Sequence, residues 1–299
     1  MDMTPKDFKS GFVAIIGAPN VGKSTLLNKM LGQKLSITSK KPQTTRNRIL
    51  GIIHRANAQL VFLDTPGIHP SDKPLNIRIV EVALSAVADV DLVLLLADAS
   101  YADPVSEKLL VQSLKNQDRP VILALNKIDL IKKATLLEQI DAWDKQYAFQ
   151  SIIPVSAKQG WQLEDLLKEM TASLPYGPPL FPEEALTDLT ERFIAAELIR
   201  EKVFRLTGQE IPYAVAVTVD TFKEEKAGKL IAIHATIHVE RSTQKGIIIG
   251  KQGSKLKQIG EAARKEIERM VGTQVLLKLF VRVQKNWSKD TKALRRFGY

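Results

Sequence analysis

Residues Gly17-Ala18-Pro19-Asn20-Val21-Gly22-Lys23-Ser24 fit the pattern G-x-x-x-x-G-K-[ST], a loop that wraps phosphate. Phosphate needs several donors converging in a small volume. Glycines let backbone N–H groups approach it and permit turns with positive φ. Lys23 adds a positive charge for the β- and γ-phosphates, and the Ser24 hydroxyl is suited to Mg²⁺. A helix starting near Lys23-Ser24-Thr25 points its positive end at the anion. The apolar run Phe12–Ile16 just before the loop makes the order strand, loop, helix.

Two more motifs follow apolar runs of strand length. Asp64-Thr65-Pro66-Gly67 places a carboxylate where phosphate-binding folds hold Mg²⁺, directly or through water. Gly67 can offer an unobstructed N–H to a γ-phosphate and rotate when that phosphate leaves. Asn126-Lys127-Ile128-Asp129 selects the base. A carboxylate accepts two hydrogen bonds from guanine's ring N–H and amino group. Adenine lacks that donor pair and would leave the carboxylate unsatisfied. Asn126 can bond the purine edge and brace the phosphate loop, and Val155-Ser156-Ala157 would aim a backbone N–H at guanine's carbonyl oxygen. Asn126, Lys127, Asp129, Ser156 and Ala157 are therefore the expected guanine site, with GTP and GDP as ligands.

In this order and spacing, over residues 11–174, the motifs resemble the translation-factor-related class of GTPases. Gln43-Thr44-Thr45-Arg46-Asn47 resembles the first switch of that class, whose threonine binds Mg²⁺ only when the γ-phosphate is present. Thr44 and Thr45 compete for the role; Thr45, next to the arginine, is favoured, and a polar loop without a ligand is the alternative. The expected Mg²⁺ set is Ser24, Thr45 and Asp64, and Asp64-Thr65-Pro66-Gly67-Ile68 forms the second switch. Ras-like proteins use a glutamine after this motif to orient the attacking water. Ile68 cannot do so, and slow intrinsic hydrolysis is expected. Asn20 matches the asparagine that helps hold K⁺ near the phosphates in related GTPases with an apolar residue at this point. A hydrogen bond bracing the loop is its other reading.

The elements that must position these groups are legible in outline. Strands are expected over Phe12–Ile16, Ile49–His54, Gln59–Leu63, Leu92–Ala97, Val121–Leu125 and Ile152–Val155, with amphipathic helices between several of them, including Asn76–Val90 and Val105–Lys115. The alternation predicts an α/β fold, a doubly wound, mostly parallel sheet covered on both faces. Ligands of such sheets bind beyond the carboxyl ends of the strands, where the motifs fall. Pro175 to Pro182 holds four prolines, which reads as a semi-rigid linker over 175–187.

Residues 188–299 change architecture. A helix from the cap-like Asp188-Leu-Thr-Glu191 to about Leu206 is followed by strands Ala214–Thr221 and Leu230–Val239. A helix around Thr243–Ile249, the turn Gly250-Lys251-Gln252-Gly253, a helix Ser254–Val271 and a strand Val275–Val283 complete an α-β-β-α-α-β order. The G-x-x-G turn lets a single-stranded backbone pass close to the chain, and Lys251, Lys255 and Lys257 add charge; this is the KH mode of holding about four nucleotides. The order resembles a KH domain of the bacterial type (type II, α+β). Ile247–Ile249 would pack in the core or line the groove beside the turn.

Charge points the same way. The chain of 299 residues carries a net +10, and Lys245 to Tyr299 alone holds 14 Lys and Arg against 4 Asp and Glu, so the whole excess lies there. A polyanion is the expected partner. The basic tail interleaves Trp287, Phe297 and Tyr299, for stacking on bases or for packing on the domain. His234 and His238 share a strand face without a metal-ligating cluster. The chain has no cysteine, which excludes thiol chemistry, and no apolar run approaches the ~20 residues of a membrane span. Met1–Ser10 has no signal-peptide character.

A GTPase domain (11–174), a linker (175–187) and a KH domain with a basic tail (188–299) together resemble the bacterial Era family over nearly the whole chain. The resemblance implies a monomeric GTP-dependent switch that binds the 3′ region of 16S rRNA and assists small ribosomal subunit assembly and rRNA processing. It also implies a cytoplasmic location with peripheral association at the inner membrane. A membrane-signalling GTPase whose basic end contacts lipid or protein is the alternative, and it has no use for the G-x-x-G turn.

Overall fold

The computed structural model describes residues 7–39, 44–68, 89–115, 117–208, 215–225 and 228–297. Gln43, His69, the helix expected over Asn76–Val90 up to residue 88, Ala214 and Tyr299 lie outside the described residues. The chain divides into two units: Met1–Ser36 with Thr45–Asp188, and Ile37–Thr44 with Leu189–Tyr299.

The N-terminal unit is a six-stranded sheet in the order β2-β3-β1-β4-β5-β6. Its strands are β1 (Lys9–Gly17), β2 (Ile49–Arg55), β3 (Ala58–Asp64), β4 (Leu92–Asp98), β5 (Val121–Asn126) and β6 (Ser151–Pro154). β2 runs antiparallel to β3, and the other pairings are parallel. Successive side chains of a strand point to opposite faces. Val13, Ile15, Leu60, Phe62, Leu92 and Leu94 accordingly pack on one face, with Leu26 of α1 (Lys23–Leu31). Ala14, Ile16, Val61, Leu63, Val93 and Leu95 pack on the other, with Leu110 and Leu114 of α2 (Pro104–Leu114). Trp143 of α3 (Lys133–Asp144) joins that second core, and Leu166 and Met170 of α4 (Leu163–Ser173) join the first. Strands buried on both faces read as continuous apolar runs, which is why their positions are predictable to within three residues, β1 starting earlier than expected because Lys9-Ser10-Gly11 extend the pairing beyond the apolar run.

Residues 175–188 belong to this unit. Gln59 receives the N–H groups of Leu180 and Phe181 at 2.7 and 2.9 Å and donates to the Phe181 carbonyl at 2.8 Å. The Leu186 carbonyl accepts from Ile52 N–H at 2.9 Å, and Thr187 Oγ1 donates to the Leu50 carbonyl at 2.6 Å. A proline-rich segment has few internal hydrogen bonds, and here strand residues of the sheet supply them.

The C-terminal unit holds α5 (Glu191–Leu206), β7 (Ala216–Glu225), β8 (Leu230–Val239), α6 (Ser242–Ile249), α7 (Ser254–Val271), β9 (Gln274–Val283) and α8 (Thr291–Arg296). The cap of α5 is Thr190, whose Oγ1 accepts from Phe193 N–H at 3.3 Å, rather than Asp188. The sheet order is β7-β8-β9, antiparallel then parallel, and the α6–turn–α7 crossover meets the parallel connection's need for a long link. Ile248 is fully buried, Ile249 is half-buried and Ile247 is exposed, so only the middle isoleucine is fully a core residue.

Helix α5 carries an unusual load. Glu197, Arg200, Glu201 and Lys202 are all buried. Arg200 pairs bidentately with Glu197, at 2.7 and 2.5 Å, and its Nη2 donates to the Thr44 carbonyl at 2.5 Å. Glu201 accepts from Thr38 N–H at 3.0 Å and pairs with Arg205 at 3.0 Å and Lys202 at 2.7 Å. Lys202 also reaches Glu266 of α7. These bonds hold Ile37–Thr44 in the C-terminal unit.

Two of the tail aromatics, Trp287 and Phe297, pack on the domain. Trp287 is fully buried, and Phe297 lies edge-on to it at 5.2 Å between ring centroids and against His238 at 4.5 Å. Burial pushes the His238 imidazole down to about 4, with Arg296 and Arg282 acting in the same direction and Asp220 opposing. His238 is therefore neutral when folded and protonates at its ordinary 6.5 when unfolded, so its contribution to stability is present above pH 6.5 and lost as pH falls toward 4. Urea unfolding should lose about 2 kcal/mol across that window, and His238→Gln should flatten the dependence. An equal acid loss in the variant would refute this assignment.

Candidate functional site

The phosphate loop joins β1 to α1. Helix α1 begins after Gly22 with no side-chain cap, which leaves its first N–H groups for a ligand. Gly17 to Gly22 form the loop, and Lys23, Ser24 and Thr25 the first helical residues. Lys23 is buried and donates to the carbonyls of Gly17 and Ala18 at 2.9 Å each. Burial pushes it down to about 8, against the opposing pull of Asp64.

Ser24 Oγ lies 2.8 Å from Asp64 Oδ2 and 2.9 Å from Thr45 Oγ1, so these three hydroxyl and carboxylate groups converge. Thr44 turns elsewhere. Its hydroxyl meets Ser39 at 3.0 Å and its carbonyl takes the Arg200 bond. Asp64 is fully buried, its carboxyl is raised by that burial, and its Oδ1 has no hydrogen-bond partner. A buried, unsatisfied carboxylate oxygen beside two hydroxyls is a hard oxygen donor set of the kind Mg²⁺ takes.

The second switch residues follow β3. Thr65 is buried and donates to the Ile15 carbonyl at 2.7 Å. A side chain at Gly67 would meet the Pro19 backbone at 2.8 Å, so only glycine lets this strand exit pass so close to the phosphate loop. Ile68 is fully buried in the core and its N–H donates to the Gly17 carbonyl at 3.1 Å. Arg46 is buried and Asn47 half-buried.

The base-reading residues assemble at the ends of β5 and β6. Asn126 Nδ2 donates to the Val21 carbonyl at 2.7 Å, while its Oδ1 accepts from Ala157 N–H at 2.9 Å. One amide thus ties the phosphate loop to the segment after β6. Ser156 Oγ donates to Asp129 Oδ1 at 2.6 Å, fixing the carboxylate's rotamer. Lys127, at φ 67, forms an ion pair with Asp98 at the end of β4. Sequence reading missed Asp98, and also Asn28, whose Oδ1 accepts from Leu35 and Ser36 N–H at 2.9 and 2.8 Å. Neither falls in a motif: the pairing of β4 with β5 brings Asp98 to Lys127, whereas Asn28, on α1, acts on backbone only seven and eight residues further along.

In the C-terminal unit the G-x-x-G turn spans the end of α6 to the start of α7. A Cβ at Gly250 would lie 2.6 Å from that of Lys255, whereas Gly253, at φ +80, has open space around it. Lys251, Gln252 and Lys257 are exposed, and Lys255 is half-buried. Beside the turn lies a groove of about 490 Å³ between α7 and β9, lined by Gly253, Leu256, Lys257, Arg264, Leu277 and Leu279. The walls are apolar and the rim carries Lys257 and Arg264 with one carboxylate, Glu261, which suits bases inside and phosphates outside. His234 and His238 belong to no metal-binding cluster among the described residues.

Comparison with known proteins agrees with both units. Residues 12–127 match the family model of a 50S ribosome-binding GTPase, and residues 210–288 that of a KH domain. The chain is 54% identical over 297 residues to GTPase Era of Geotalea uraniireducens and to that of Geobacter metallireducens, covering 99% of this chain and 100% of each relative. Era in complex with MgGDPNP and nucleotides 1506–1542 of 16S ribosomal RNA superposes with a TM-score of 0.94 at 42% identity, covering 98% of this chain and 99% of that one. A variant of Aquifex aeolicus Era bound to GDP·AlF₄⁻ gives 0.94 at 41% identity over the same shares.

Fold and site together define a P-loop GTPase joined to a KH domain. A guanine-nucleotide hydrolase of this build requires Mg²⁺, and the converging oxygens of Ser24, Thr45 and Asp64 fit it. The chain belongs to the Era family of GTPases.

Proposed function

We propose that this GTPase is a switch that binds single-stranded RNA, the 3′ region of 16S rRNA, and assists small ribosomal subunit assembly and rRNA processing. The observation that carries the reading is a complete guanine-nucleotide constellation and a G-x-x-G turn with an adjoining apolar groove edged by Lys257 and Arg264 in one chain. The full-length likeness to Era in complex with 16S rRNA nucleotides supports it. Residues 11–174 are the GTPase domain, 175–187 the connection and 188–299 the RNA-binding domain with its basic tail. The protein acts as a monomer in the cytoplasm, with peripheral contact at the inner membrane.

The nucleotide phosphates lie on the N–H groups of Gly17–Thr25. Lys23 exchanges its two loop carbonyls for the β- and γ-phosphates. Ser24, Thr45 and Asp64 would hold Mg²⁺, which would supply positive charge against the phosphate oxygens. Asp129 and Asn126 read guanine, with Lys127, Ser156 and Ala157 framing the base. Thr45 and the Gly67 N–H engage only while the γ-phosphate is present, so hydrolysis releases the segments around Gln43–Asn47 and Asp64–Ile68. Lys251, Lys255 and Lys257 hold RNA phosphates at the Gly250–Gly253 turn.

RNA binding by the full chain tests the reading. Gly253→Asp has open space for its side chain, strains the left-handed backbone at φ +80, and sets a negative charge against phosphate. Affinity for the 16S 3′ end should fall about 100-fold with GTP affinity unchanged. Unaltered RNA binding would overturn the proposal.

Ile68 is packed in the core and can orient no water. Asn20, exposed at φ 63 in the phosphate loop, is placed to ligate K⁺ instead. Turnover should rise about tenfold when K⁺ replaces Na⁺, a modest share of the gain an arginine finger provides. Asn20→Ala should remove the difference. Equal rates in the two salts would sink this part of the reading.

A further inference from the structure

The three-stranded sheet of the C-terminal unit has two faces, and the helices cover only one. The register places Ala232, His234, Thr236 and His238 of β8 beside Leu276, Lys278, Phe280 and Arg282 of β9 on the other face. The C-terminal segment covers one end of it, where Phe297 stacks on His238. The rest is open. Phe280 is 54% exposed and Leu276 44%, on the edge strand of the sheet. His234 stands edge-on to Phe280 at 6.4 Å between centroids. Lys278 and Arg282, both exposed, flank Phe280 along the strand. A shallow groove of about 530 Å³ runs past Phe280 between Thr236, Lys245 and Arg282. Its one carboxylate, Asp220, accepts hydrogen bonds from Thr218 and Thr236 at 3.2 and 2.6 Å.

Exposed apolar side chains on an edge strand are a liability unless something covers them. An aromatic ring beside a histidine, with a cation on each side along one strand, has the chemistry of a base-stacking platform with phosphate contacts. The alternation of β9 supplies the connection. Leu277 and Leu279 line the groove beside the G-x-x-G turn, Leu276 reaches its margin, and Lys278 and Phe280 lie directly across the same edge strand. A single strand leaving that groove around the sheet edge arrives on this face.

We propose that the open sheet face, Phe280 and His234 with Lys278 and Arg282, is a second RNA contact that stacks a base outside the nucleotides held at the Gly250–Gly253 turn. The inference depends on the RNA-binding reading above, and the test separates the two. Full-length protein is titrated with the 16S 3′ end cut to about four nucleotides, which the turn can hold, or to about twelve, which also reach the sheet face. Phe280→Ala should weaken the longer RNA about tenfold and leave the shorter one unchanged, while Phe280→Trp retains affinity. Lys278→Ala with Arg282→Ala should lower the salt slope for the longer RNA alone by about 1.4. Equal affinity of wild type and Phe280→Ala for the longer RNA would overturn the second contact and leave the turn's role standing. Equal weakening of both lengths would overturn it as well, by showing that the groove itself had been disturbed. Loss of binding to phosphatidylglycerol vesicles with RNA binding intact would assign the face to lipid. Failure of the wild type to bind either RNA would remove the underlying reading itself.

Discussion

Asp129→Asn should cut GTP affinity by about a thousandfold and raise affinity for xanthosine triphosphate by a similar factor. Asp129 follows β5 with its rotamer held by the Ser156 hydroxyl at 2.6 Å, so its carboxylate is aimed before any base arrives. Guanine presents two donors to it, the ring N–H and the exocyclic amine. Asparagine has the same shape but only one acceptor oxygen, and its amide N–H₂ meets the guanine amine donor to donor. Xanthine carries a carbonyl at that position and accepts from the amide. The fold should be unaffected, because Asn126, the buried brace between Val21 and Ala157, is unchanged. Fluorescent-nucleotide titration with GTP, xanthosine triphosphate and ATP decides it. GTP affinity within a few-fold of wild type would show that Asp129 does not read the base.

Arg200→Ala should destabilise the C-terminal unit by about 3–5 kcal/mol. The substitution removes a fully buried guanidinium and leaves Glu197 buried with its two strongest bonds gone. It also removes the donor to the Thr44 carbonyl. Between Thr44 and Thr45 the chain passes from one unit to the other, and Thr45 is the residue whose hydroxyl meets Ser24. Replacing both partners by apolar residues, Glu197→Leu with Arg200→Met, should recover most of the loss, since the penalty comes from the orphaned charge. Denaturant unfolding of the single and double variants measures the difference. A single variant within 1 kcal/mol or so of wild type would mean that water reaches Glu197 freely.

Much of the fold was legible because its signals are local. Strands β1, β3, β4 and β5 are apolar on both faces; the limits of β3, β4 and β5 fell within one residue of expectation, while β1 starts three residues earlier, at Lys9. The phosphate loop, Asn126–Asp129 and Gly250–Gly253 are patterns whose backbone requirements are met within a few residues of chain. The choice between Thr44 and Thr45 was legible only as a preference for Thr45 from its place beside the arginine. Adjacent threonines have the same chemistry, and their separation depends on Arg200, more than 150 residues away, holding the Thr44 carbonyl.

The amino-acid sequence by itself determined the ligand class. Lys23, Asp64 and Asp129 stand at spacings that only a guanine-nucleotide site explains, and the excess of 14 basic over 4 acidic residues from Lys245 onward already pointed to a polyanion. Tertiary structure decided what long-range contacts decide. It drew Ile37–Thr44 into the C-terminal unit through hydrogen bonds of Thr38 and Thr44 with Glu201, Arg205 and Arg200, and bound the proline-rich segment to Gln59. It buried Trp287 and Phe297 and left Phe280 exposed. No local pattern distinguishes these aromatics. Each lies near basic residues, and burial depends on which surface the folded chain brings against it.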